Sequence, residues 1–152
     1  MNDEIRKMLD KFQITELAYK FSDAANKRDG EGFKKLWAKD GAKWVIGPPV
    51  NFAFEGKEDM GKNLVAALGQ WEFFVQLTTF NVIDLHGDTA TARFYVHETA
   101  NAKSGAGNNN LSYYQDELVK EEGHWRFKTR TYHTLFQSHE RQIGDIIEIP
   151  QD

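Results

Sequence analysis

The sequence predicts an α+β domain in which helices cover one face of a curved, mostly antiparallel sheet. Two observations lead there. Residues 5–70 carry apolar side chains at helical spacing, interrupted by two short strand-like runs. Residues 73–137 then change to a period of two, in four runs separated by glycine-bearing turns.

The elements follow in order. Ile5, Met8, Leu9, Phe12, Leu17, Phe21 and Ala25 form the apolar stripe of one helix reaching about Lys27, which Asp29-Gly30 ends. Phe33, Leu36 and Trp37 predict a short second helix. Residues 42–47 read as a strand, Pro48-Pro49 interrupts pairing, and 50–56 read as a second strand. Residues 57–70 predict a third helix, with Met60, Leu64, Ala67 and Leu68 on one side. Runs 73–86, 89–100, 111–121 and 124–137 are strands rich in β-branched and aromatic residues. Gly87-Asp88 is the first turn between them, 101–110 a long polar loop, and 121–123 the third connection.

Length and composition narrow the function. The 152 residues fit one domain, 1–152, long enough to enclose a core and a cavity. A net charge of −4 gives no electrostatic basis for a nucleic-acid partner. Cysteine is absent, which excludes disulfides, thiolate metal sites and cysteine catalysis. The charged N-terminus lacks the apolar block of a signal peptide, and the aliphatic run 64–68 is too short for a membrane span. A soluble, cytoplasmic protein with no membrane partner is expected.

Alternation assigns the strand faces, with the condition that one β-bulge inverts everything beyond it. Ala90, Ala92, Phe94 and Val96 select the inward face of their strand, carrying Glu98 and Ala100 with them. Leu118 carries Ser112, Tyr114 and Asp116 inward. Trp125 and Phe127 carry Thr129, Thr131 and His133. The polar members gather toward one end of a meander, the pattern of an apolar cavity with a few convergent polar groups.

Residues 14–44, 80–96 and 113–130 together resemble the SnoaL-like family of the nuclear transport factor 2-like superfamily, in its scytalone dehydratase-like branch. The resemblance spans roughly residues 5–136 and implies a cone-shaped fold: a bent sheet closed by helices around a pocket. Dehydrating members of that branch carry an Asp and a His facing each other across the pocket, supported by tyrosines. The Asp position falls on Asn26, the His position on Leu77, and one tyrosine position on Phe21. Tyr114 and Ser112 fall on pocket positions that carry polar groups. Homodimers through the outer sheet face, here with Tyr95, Tyr113 and Val119, are also implied.

Elimination or isomerisation requires a base for a carbon-bound proton and an acid for the oxygen. Asn26 does neither, since a carboxamide does not titrate; it orients an oxygen, or it bonds the backbone that follows it. His133 is the expected acid/base, an imidazole being the side chain that titrates nearest neutral pH. Asp116 or Glu98 would orient it or act as second acid; on a solvated strand face they would do neither. Tyr114 donates a hydrogen bond or closes the core. Phe21, Trp44, Leu77, Ser112 and, secondarily, His97 complete the substrate surroundings, His97 otherwise lying on the outer face. The histidines lack metal-ligand spacing, and no cofactor is expected. Two functions remain: a cofactor-independent lyase or isomerase for a small apolar cyclic or aromatic substrate, or a non-catalytic module that binds such a molecule.

Overall fold

The structure is a computed structural model and describes residues 1–148 and Pro150. Helix α1 (Asp3–Lys27) starts where the Asn2 side chain accepts from the Glu4 amide at 2.7 Å. It stops at Arg28, whose φ of 55° is left-handed, so its amide turns back to the carbonyls of Ala24 and Ala25. Asp29 then caps α2 (Gly30–Lys34) by accepting from the Gly32 amide at 2.9 Å. Strands β1 (Lys43–Ile46) and β2 (Phe52–Glu55) form a hairpin, and a 3-10 turn leads into α3 (Met60–Leu68). Four long strands complete the chain: β3 (Trp71–His86), β4 (Thr89–Ala102), β5 (Gly107–Glu121) and β6 (His124–Ser138).

All six strands join one curved, open sheet in the order β2-β1-β6-β5-β4-β3. Every pairing is antiparallel except β1 with β6. The helices pack on the concave face, giving the cone the resemblance implies. Phe21, Phe33, Trp37, Trp44 and Phe127 meet there in edge and tilted contacts, with ring centroids 4.7–6.5 Å apart.

Three sequence expectations need correction. The N-terminal part of the α1 stripe is not core: Ile5, Met8, Leu9 and Phe12 are exposed. They lie on the side of the helix opposite the buried face of Asp10, Ile14, Leu17 and Phe21. The helix's inward contact there is Asp10, whose Oδ1 accepts from Trp125 Nε1 at 2.9 Å and Lys120 Nζ at 3.0 Å. The polar loop is shorter than 101–110, because β4–β5 pairing continues to Asn101 opposite Gly107, with Asn108 and Asn110 buried. In β6 a bulge changes the alternation. Glu117 pairs Thr129 but its neighbour Leu118 pairs Phe127, so Lys128 is the extra residue. Beyond it Arg130 and Tyr132 point inward, and His133 points out.

Candidate functional site

Between the helices, the β1–β2 hairpin and the concave sheet lies a cavity of about 540 Å³. Phe21, Trp44, Phe54, Trp71 and Phe74 give it aromatic walls. At its floor β4, β5 and β6 bring Glu98, Asn110, Tyr114 and Tyr132 side by side, and β3 adds Gln76. All five are buried.

Glu98 is the centre of this group. Tyr132 donates its hydroxyl proton to Glu98 Oε1, and Gln76 Nε2 donates to Oε2 at 2.8 Å. Asn110 Nδ2 reaches the Tyr132 oxygen at 3.4 Å. Burial pushes the Glu98 carboxyl above the ordinary glutamate range, and the Tyr132 and Gln76 hydrogen bonds only partly offset this. Burial also raises the hydroxyl pKa values of Tyr114 and Tyr132, with the adjacent Glu98 charge adding to the effect. Both phenols therefore remain proton donors. Gln76 is fixed in turn by Ser22, whose Oγ lies 2.8 Å from Gln76 Oε1 and 2.7 Å from Thr78 Oγ1.

The other expected site residues sort by face. Phe21, Trp44, Tyr114 and Glu98 line the cavity. Asn26 does not bond the backbone that follows it. Its carboxamide clasps the Gln76 backbone, donating to the carbonyl at 2.9 Å and accepting from the amide at 2.7 Å. Leu77 is 54% exposed on the outer face, so the inward residue at that level is Gln76. Ser112 is buried but off the cavity wall. His97 lies on the outer face with Nε2 2.6 Å from Asn109 Oδ1. His133 stacks on Tyr113 of that same face, with centroids 4.9 Å apart, so its placement as a pocket base is corrected.

Asp116 is inward, yet it meets Arg130 rather than a ligand. Arg130 Nε donates to Asp116 Oδ1 at 2.9 Å, with both side chains fully buried. Burial pushes Asp116 up to about 6 against the opposing pull of Arg130. The guanidinium lies 3.9 Å from the Tyr114 ring centroid and 4.3 Å from those of Phe21 and Phe127. Arg130 and Tyr132 escaped the sequence reading through the bulge at Lys128. Gln76 left one trace, a single polar residue inside the apolar run 73–77.

A SnoaL-like domain model matches residues 6–131. The chain belongs to the SnoaL-like family, within the nuclear transport factor 2-like superfamily. Solved structures repeat the fold. A type 2 hexachlorocyclohexane dehydrochlorinase, LinA, is 14% identical over 97% of this chain and 98% of its own, with a TM-score of 0.81. A candidate scytalone dehydratase from Novosphingobium aromaticivorans is 18% identical over 93% of this chain and 97% of its own, at 0.77. A Mycobacterium tuberculosis protein of unknown function is 21% identical over 88% of this chain and 76% of its own, at 0.76. Among curated proteins, none matches the chain. The SnoaL-like fold thus has dehydratase and dehydrochlorinase neighbours as well as neighbours of unknown function. Among the described residues, no cluster of three His, Asp or Glu side chains could hold a metal ion, and no helix is long and apolar enough to cross a membrane.

Proposed function

We propose that this SnoaL-like protein is a cofactor-independent lyase or isomerase for a small apolar cyclic or aromatic substrate, with Glu98 as its proton-transfer group. One observation carries the reading: a carboxyl buried at the floor of an aromatic cavity and held there by neutral donors. With no lysine or arginine bridged to it among the described residues and with burial as the largest effect, its conjugate base is stronger than a solvated glutamate. Glu98 takes a proton from a carbon beside the substrate's oxygen function, and the released electron pair moves toward that oxygen. Tyr114 donates its hydroxyl hydrogen bond there as negative charge develops. The proton on Glu98 then returns to carbon in an isomerisation, or leaves with the departing group in an elimination. Tyr132 and Gln76 are positioning residues for the carboxyl.

The test is a binding screen of small cyclic ketones, alcohols and phenols, with each hit followed by mass spectrometry. Glu98→Gln should still bind a converted hit while losing its turnover. Undiminished turnover in that variant would sink the assignment.

A second reading, a non-catalytic binding module, is favoured by the Asn26 clasp on the Gln76 backbone. At the level where dehydrating relatives carry Asp and His, this chain holds a static hydrogen-bond pair. Ligands that bind tightly and always return unchanged would support it.

The same proposal includes a homodimer through the outer sheet face. There Phe80, Tyr95, Tyr113 and His133 form a continuous row of rings, flanked by exposed Leu77, Leu111 and Phe136.

A further inference from the structure

The charges around the cavity are one-sided. Its lining includes the Glu98 carboxyl at the floor and His139 at the rim, but neither a lysine nor an arginine among the described residues. The nearest buried cation, Arg130, lies beneath the Tyr114 ring and is matched by Asp116. Its charge is therefore spent behind the wall. The walls themselves are aromatic rings, whose faces carry the negative part of the ring quadrupole.

We infer that the pocket sorts ligands by charge: it takes uncharged and ammonium-bearing ring compounds and refuses carboxylates and phosphates of the same skeleton. This rests on the site of the proposed function but concerns binding alone. An anion in the cavity would be stripped of water, would meet no lysine or arginine among the described residues, and would face a second carboxyl at the floor. An ammonium would meet the aromatic walls of Trp44, Phe54, Trp71 and Phe74, with Glu98 as its counter-ion. A neutral ketone or alcohol takes a hydrogen bond from Tyr114 without any cost of burying charge. The reaction that supplies this substrate must therefore leave it uncharged or as an amine.

Three probes of one skeleton test the inference: 2-acetylnaphthalene, 2-(aminomethyl)naphthalene and 2-naphthoate, each titrated calorimetrically against the whole protein near neutral pH. The ketone and the amine should bind, with the carboxylate weaker by about tenfold or more. Glu98→Gln should narrow the gap between carboxylate and ketone and remove any advantage of the amine over the ketone. A second readout needs no variant. On the parent protein the carboxylate's disadvantage should grow as pH rises through the titration of Glu98, which burial moves upward. Binding of 2-naphthoate within about twofold of the ketone would overturn the inference. So would ratios indifferent to both pH and Glu98→Gln, or the failure of all three probes to bind. Turnover of the probes plays no part in this test, so loss of the catalytic reading would leave its outcome standing.

Discussion

Tyr132 on β6 donates its hydroxyl to Glu98 on β4, with β5 between them supplying Asn110 to the same phenol. The bond stabilises the charged form of Glu98, while burial acts in the other direction and is the larger effect. In Tyr132→Phe the carboxylate keeps Gln76 but loses that donor. The Glu98 titration should move to still higher pH, by about one unit if the bond contributes about 1.5 kcal/mol. Carbon-13 NMR of labelled glutamate carboxyls across a pH series reads this directly; an unmoved midpoint would refute it.

The Asp116–Arg130 pair makes stability depend on pH in an unfamiliar direction. Asp116 is pushed up to about 6 in the fold from its ordinary value of 3.8. Between those values the folded protein holds a proton that the unfolded chain has released. This contribution to stability therefore falls as pH rises through that window and levels off above it. Asp116→Asn cannot titrate. Relative to that variant, the parent should lose stability between pH of about 4 and about 6, measured by urea unfolding at several pH values.

The outward position of His133 separates it from the chemistry. His133→Ala removes a ring from the Tyr113 stack, and His133 does not line the cavity. Once a converted substrate is in hand, turnover should stay within about twofold of the parent, whereas Glu98→Gln should abolish it. A large loss in His133→Ala would return the base to that residue.

Self-association is tested on the same face. Tyr95→Glu and Tyr113→Glu each place a charge in the middle of the aromatic row. If that row is the dimer interface, each change should shift sedimentation toward monomer without altering ligand binding. An unchanged sedimentation profile would rule this face out.

A backbone contact supports the cavity from behind. Helices α2 and α3 meet at Gly30 and Gly61, and a Cβ on Gly61 would lie 2.3 Å from the Gly30 carbonyl oxygen. Alanine favours a helix over glycine by about 1 kcal/mol. The clash reverses that gain, because neither backbone has room to yield. Gly61→Ala should lower stability by about 1–3 kcal/mol, seen as a lower thermal midpoint. A rise would show that the two helices can separate.

Much of this protein was determined by the sequence alone. The change from helical to alternating periodicity specified the class and order of elements, since each pattern suits only one backbone geometry. Alternation also placed Glu98 and Tyr114 inward, because β4 and β5 pair along their shared length without interruption. Tertiary structure decided the rest. The bulge at Lys128 arises from pairing with β5, so no local signal in β6 reveals that Tyr132, and not His133, joins the site. Asp116 was legible as inward, but its partner Arg130 lies beyond that bulge and was not. Ile5, Met8, Leu9 and Phe12 are exposed because α1 packs on the sheet through its other side, that of Asp10, Ile14, Leu17 and Phe21, and only packing decides which side is buried. Periodicity tells a side chain which face it shares with its neighbours; only the packed sheet decides what that face meets.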